Sequence, residues 1–175
     1  MENNRIVGDI MAIKTVYGDV LDSDANAILH QVNCRGVMGS GLARQVKDRY
    51  PHVFEGYAKL CKDCDYNPEK LLGTSYAVRL NERLLFSGED IRQSRFIVNL
   101  FAQDGYGYGK CFTDYEALRL CLYKVDIAFR GMRVAIPYKM SCCRGGGNWD
   151  VVYRIIEEEL KDCEVEIYKL KRESS

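Results

Sequence analysis

The sequence predicts an α/β domain with a largely parallel or mixed sheet, and two observations carry that expectation. Segments of strand character alternate with segments of helical period along most of the chain. Two glycine-rich loops, Cys34 to Ala43 and Ser141 to Trp149, each follow a strand and precede a helix. In such sheets that places both loops at the carboxyl ends of strands, where ligands bind. A length of 175 residues fits a single domain over residues 1–175 with a substantial core.

The elements follow in order. Ala12 to Tyr17 is rich in β-formers and ends at Gly18-Asp19. Ala25 to Val32 is apolar enough for a buried strand and ends at Asn33. After the first glycine-rich loop, Ser40 to Tyr50 carries Leu42, Val46 and Tyr50 on one helical face. Pro51 stops that helix, and Val53 to Cys64 reads as a second short one. Leu72 to Arg79 and Phe96 to Phe101 read as strands. Thr113 and Glu116 have the spacing of a capping box. The helix behind them presents Leu118, Cys121, Leu122, Val125 and Phe129 on one side until Gly131. Met132 to Pro137 is a strand. Asn148 can cap a helix with Trp149, Val152, Ile156 and Leu160 at helical spacing, and Val165 to Leu170 closes the chain as a strand. Both polar ends are expected to fray.

Composition excludes several classes. Lys and Arg number 25, Asp and Glu 25, so the basic excess of a duplex nucleic-acid binder is missing and no strong nucleic-acid signal remains. No apolar run approaches the ~20 residues of a membrane span, and Met1 to Arg5 lacks the apolar core of a signal peptide. No membrane partner and a cytoplasmic location are therefore expected. In that compartment the eight cysteines should be thiols. Cys61 and Cys64 form one CxxC, but zinc would need two more ligands and no second CxxC exists. Neither a metal nor a cofactor is expected.

In the first loop, Gly36, Gly39 and Gly41 surround Val37, Met38 and Ser40. Removal of three Cβ atoms lets a ligand lie on the backbone, and the following helix start offers free N–H groups to an anion. The loop lacks the Gly-Lys-Ser/Thr close of a Walker A motif. In the second loop, Ser141, Cys142, Cys143 and Arg144 precede Gly145, Gly146, Gly147 and Asn148. Consecutive glycines suit backbone amides that wrap an anion, and two such loops on one rim suit a pyrophosphate. Asp19 on the same rim can accept from an amino group or serve as a turn residue. Asn33 can bind sugar hydroxyls or hold a left-handed turn. Phe101 to Lys110, with alternating Gly and Tyr, reads as a lid or a solvated loop.

These residues resemble the macrodomain family. The resemblance rests on Gly18-Asp19-Val20-Leu21, on His30-Gln31-Val32-Asn33-Cys34-Arg35-Gly36-Val37-Met38-Gly39-Ser40-Gly41-Leu42-Ala43, and on Ile136-Pro137 with the late glycine loop and Asn148-Trp149. It extends over about Met11 to Leu170 and is nearest to small members similar to the ADP-ribose-1''-phosphate phosphatases and the terminal ADP-ribose protein glycohydrolases. It implies a three-layer α/β/α fold with a central mixed sheet, and ADP-ribose or a derivative as the ligand. Asp19, beside Val20, would hold the adenine amino group. Asn33 and the loop from Gly36 to Gly41 would hold the distal ribose, Ser141 to Asn148 the pyrophosphate, and Phe101 would pack near adenine or ribose.

His30 matches a histidine of the phosphatase-like members, so it is expected as general base or water-orienting group, with Asp104 as its carboxylate partner. The glycohydrolase branch uses a lysine where this chain has Phe112 and an aspartate where it has Gly145. Lys110, two residues away, is the remaining lysine candidate. A helix N-terminus could lower a thiol pKa at Cys142 or Cys143, but no CX5R loop is present. The expected activity is removal of the 1''-phosphate from ADP-ribose-1''-phosphate. Alternatives are a non-catalytic ADP-ribose reader, a hydrolase that takes ADP-ribosylated protein or nucleic acid as partner, and an O-acetyl-ADP-ribose deacetylase.

Overall fold

The computed structural model describes residues 13–80 and 91–171. Ala12, the start of the expected first strand, and the two polar ends lie outside them. Six strands form one sheet: β1 (Lys14–Tyr17), β2 (Ala27–Asn33), β3 (Ser75–Arg79), β4 (Phe96–Gln103), β5 (Arg133–Pro137) and β6 (Glu164–Lys169). Their order is β1-β6-β5-β2-β4-β3. Every neighbouring pair is parallel except β3 with β4. The carboxyl ends of five strands therefore share one rim, where the connecting loops gather.

Helices α1 (Gly41–Arg49), α2 (Pro51–Asp63) and the short α3 (Pro68–Leu71) join a core with Ile28, Val32, Ile97 and Phe101 on one face of the sheet. Helices α4 (Tyr115–Ala128) and α5 (Trp149–Glu159) cover the other face. The period-2 geometry of strands explains the division. In β2, Ile28 and Val32 face the α1–α2 layer while Ala27 and Leu29 face α4 and α5. Ala117, Leu118, Cys121, Leu122 and Val125 bury one side of α4, and Val152, Ile155 and Ile156 bury one side of α5. Arg119 ties the two helices together through Glu158 and Glu159 at 2.6 Å each. No helix among the described residues is long and apolar enough to cross a membrane.

Two local expectations change. The cap of α4 is Asp114, which accepts from Ala117 N at 2.9 Å; Thr113 and Glu116 form no capping box because the chain turns one residue later. β3 starts at Ser75, because Asn67 and Pro68 open α3 just before it and Gly73 turns the chain with φ +82°. Cys61, half of the CxxC, is buried in the α1–α2 core.

Candidate functional site

A cleft of about 460 Å³ opens on the shared rim, between the end of β2, the start of α1 and the loop after β5. One wall is the start of α1. Ser40 precedes it in extended conformation (φ −153°, ψ 165°) and makes no side-chain cap bond. The first amides of α1 are therefore uncapped, and Ser40, Gly41, Leu42 and Ala43 line the cleft. The other wall is the second glycine loop. Here Gly147 N donates to Ser141 O at 2.8 Å and Gly146 N to Cys143 O at 3.2 Å. Among the described residues, the amides of Cys143, Arg144 and Gly145 donate to no protein acceptor, and all three residues line the cleft. Two sets of free N–H groups thus meet across one space, an arrangement that favours an anion between them.

The second loop is held by a polar cluster at the strand ends. Gln31 Nε2 donates to Gln103 Oε1 at 2.7 Å and to Thr113 Oγ1 at 2.9 Å, while Ser141 Oγ donates to Gln31 Oε1. The Thr113 hydroxyl lies 3.1 Å from the carbonyls of both Ser141 and Gly145. Gly145 O also accepts from Phe112 N at 2.7 Å and Thr113 N at 2.9 Å. These bonds turn the carbonyls of Ser141 and Gly145 away from the cleft, which leaves the amides of Cys143, Arg144 and Gly145 free. Gln31, Gln103 and Thr113 were not among the expected site residues. Thr113→Val keeps the shape and removes the hydroxyl, so it should cost about 1–3 kcal/mol in urea unfolding, while Thr113→Ser stays near the parent. Equal stability of the two variants would contradict the clamp.

The glycines of this loop have a packing role that composition does not reveal. A Cβ on Gly145 would lie 2.5 Å from Thr113 Oγ1 and 2.6 Å from Ser141 O. A Cβ on Gly146 would overlap the carbonyl of Lys110, and its φ is +67°. The chain segment before α4 passes too close for side chains.

Of the expected residues, His30, Asn33, Val37, Gly39, Ser40, Gly41, Ser141, Cys143, Arg144 and Gly145 line the cleft together. The rest lie elsewhere. Met38 and Phe101 are core residues, with Phe101 stacked on Tyr57 at 5.6 Å. Val20 is buried, and Asp19 caps a turn by accepting from Leu21 N at 2.9 Å. Asn148 caps α5 through Asp150 N and Val151 N. Gly36 packs against Tyr66, and Gly147 turns back onto Ser141. Asn33 is at the cleft, but its side chain braces the first loop. Its Oδ1 accepts from Tyr57 Oη at 2.8 Å and Arg35 N at 2.9 Å, and its Nδ2 donates to Val37 O at 2.8 Å.

The expected His30–Asp104 pair does not form. His30 is 2% exposed and its Nε2 meets Asn99 Oδ1 at 2.8 Å. Asn99 Nδ2 donates to Tyr76 O, which turns Oδ1 toward the imidazole, so Nε2 carries the proton and Nδ1 is a bare lone pair. Burial outweighs the Asn99 bond and lowers the His30 pKa to about 4. Asp104 instead pairs with Arg35 at 2.8 Å, since both lie at the outer end of β4 and the first loop. Lys110 does not line the cleft; its ammonium lies 5.3 Å from the Phe112 ring beside a separate cavity. Burial pushes the Cys142 thiol up to about 11, opposite to an activated thiolate.

No family model matches the chain. It is 29% identical over 154 residues to a protein named DNA ADP-ribosyl glycohydrolase from Mycobacterium tuberculosis, a match covering 86% of this chain and 40% of that protein. It is 31% identical over 113 residues to a protein named ADP-ribose 1''-phosphate phosphatase from Meyerozyma guilliermondii, covering 63% and 59%. The chain thus spans less than two thirds of the curated relatives' length. Among solved structures, the macrodomain of Mycobacterium tuberculosis DarG has a TM-score of 0.68 at 26% identity, covering 90% of this chain and 97% of that one. Thermosipho africanus DarTG in complex with ADP-ribose has a TM-score of 0.69 at 24% identity, covering 93% and 42%, a likeness of fold.

Proposed function

Because the chain is a macrodomain by fold, we propose that the cleft binds ADP-ribose and that the protein hydrolyses a derivative at its distal end, with ADP-ribose-1''-phosphate as the leading substrate. One observation carries this: the uncapped start of α1 faces the free amides of Cys143, Arg144 and Gly145 across a cleft of about 460 Å³. A pyrophosphate placed between them gains charge-assisted bonds from both sides without desolvating any buried carboxylate. In this placement adenosine lies toward Pro137 and Tyr138 at the end of β5, and the distal ribose toward Asn33.

Hydrolysis is water attack at phosphorus: the new P–O bond forms as the P–O bond to the sugar breaks, giving ADP-ribose and inorganic phosphate. The free amides stabilise the charge that builds on the phosphoryl oxygens. His30 is neutral and its unpartnered Nδ1 is closed off from solvent, so it stores no proton for the step and contributes by shaping the end of β2 beside the cleft. Asp104, held by Arg35, is the carboxylate at the outer end of β4. A second reading, cleavage of the bond between ADP-ribose and nucleic acid, is favoured by the longer match to the DNA ADP-ribosyl glycohydrolase. A lysine adduct at Lys110 does not fit that reading, since Lys110 lies outside the cleft.

The test is parallel incubation with ADP-ribose-1''-phosphate, O-acetyl-ADP-ribose, an ADP-ribosylated oligonucleotide and an ADP-ribosylated peptide. Phosphate release from the first supports the leading substrate. Binding of ADP-ribose with every substrate intact would make the protein a reader. Gly39 gives a binding test independent of turnover. A Cβ there would meet only Val37 at 3.6 Å, so the fold tolerates Gly39→Ala. If a ligand lies on that backbone, ADP-ribose affinity falls roughly tenfold by calorimetry while the melting temperature holds. Unchanged affinity would remove Gly39 from the contact.

A further inference from the structure

We propose that the cavity beside the cleft is a phosphate subsite that takes the group attached to the distal end of bound ADP-ribose. It rests on the proposal that the cleft holds ADP-ribose. The cavity, about 350 Å³, lies between the segment from Gly107 to Cys111 and the second glycine loop at Cys143 and Gly146. Cys143 lines both spaces, so a ligand in the cleft can reach from one into the other past its free amide.

The charges around it have one sign. Lys110 lines the cavity, and its ammonium lies 5.3 Å from the Phe112 ring. Arg144, at the junction, stacks on Tyr108 at 4.3 Å. Among the described residues neither cation has a carboxylate partner, and no Asp or Glu lines the cavity. The nearby carboxylate of Asp104 is already neutralised by Arg35 at 2.8 Å. The segment is also fastened to the loop: Gly107 N donates to Arg144 O at 3.2 Å, and Phe112 N to Gly145 O at 2.7 Å. The cations therefore sit on a held backbone beside the amide of Cys143. A phosphoryl group, with several acceptor oxygens and a full negative charge, matches this set. Its source is either the terminal monoester of ADP-ribose-1''-phosphate or the phosphodiester next to an ADP-ribosylated nucleotide.

The experiment compares the parent with Lys110→Met and the charge-preserving Lys110→Arg. Inorganic phosphate is titrated into labelled protein while the amide resonances from Gly107 to Cys111 and from Gly39 to Ala43 are followed. Phosphate should move the first group, and Lys110→Met should weaken that binding roughly threefold to tenfold, with recovery in Lys110→Arg. Affinity for ADP-ribose, which lacks the distal phosphate, should not change. A KM increase in Lys110→Met confined to ADP-ribose-1''-phosphate identifies the monoester; one confined to an ADP-ribosylated oligonucleotide identifies the phosphodiester. Equal phosphate binding in parent and Lys110→Met, or shifts only from Gly39 to Ala43, overturns the subsite. If phosphate moves the Gly107 to Cys111 amides but ADP-ribose binds nowhere, the cavity is an anion site, and both the ADP-ribose proposal and the assignment of this site to its distal end fall.

Discussion

Gly146→Ala is expected to destabilise the fold by about 2–4 kcal/mol and to abolish ADP-ribose binding at concentrations that saturate the parent. Two costs add. The φ of +67° puts an alanine in the left-handed region, at about 1–2 kcal/mol. The new Cβ would also overlap the backbone of Lys110, which cannot swing aside as a side chain would. Relief requires the second loop to part from the segment before α4. That breaks the bonds from Phe112 N and Thr113 N to Gly145 O and releases the amides of Cys143 to Gly145 from their orientation. Gly18→Ala is the control, because no atom lies within 4 Å of its Cβ position and its φ is unexceptional. Denaturant unfolding and calorimetry on both variants check the pair. A Gly146→Ala protein with parent affinity would show that the loop's shape is not what binds.

The second large effect is on stability at low pH. Burial lowers the His30 pKa to about 4 from the ordinary 6.5. The unfolded chain therefore takes up a proton at His30 before the native state does. Stability is full above pH 6.5 and falls as pH drops from 6.5 toward 4. The loss approaches about 3 kcal/mol at the lower end. His30→Gln removes the titration and can keep a donor toward Asn99. Unfolding free energies measured from pH 7.5 to 4 should fall more steeply for the parent than for His30→Gln. Parallel curves would mean that His30 is not held neutral. The same lowered pKa predicts that His30 contributes no inflection near pH 6.5 to the activity profile.

Much of the fold was legible because burial imposes a period. The faces of α4 and α5 and the apolar runs of β2 and β5 were placed within two residues of their observed bounds. The four-residue helix α3 was not, since one turn bounded by Asn67, Pro68 and Gly73 carries no period to detect. The cap of α4 was misplaced because Thr113 and Asp114 are both good caps, and a distant bond decided between them. Thr113 is drawn to Gln31 and to Gly145, which leaves Asp114 to cap.

The candidate site was legible in its loops and opaque in its supports. Gln31 meets partners 72, 82 and 110 residues away in sequence, and no local pattern encodes that. The late glycines looked like ligand contacts alone, whereas two of them are also required by the backbone that packs on them. His30 was expected from the resemblance to the phosphatase-like members, with Asp104 as its carboxylate partner. Strand geometry instead faces His30 toward Asn99 at the neighbouring position of β4, and Asp104 falls beyond the strand beside Arg35.

The central claim is that both glycine loops hold one ADP-ribose molecule between them. A titration of ADP-ribose into ¹⁵N-labelled protein tests it directly, by following the backbone amides of Gly39, Ser40, Gly41, Cys143, Arg144 and Gly145. The predicted result is one-to-one saturation in which amides of both loops shift with the same dissociation constant. Saturable binding that leaves either loop unmoved, or no binding at millimolar ligand, would contradict it.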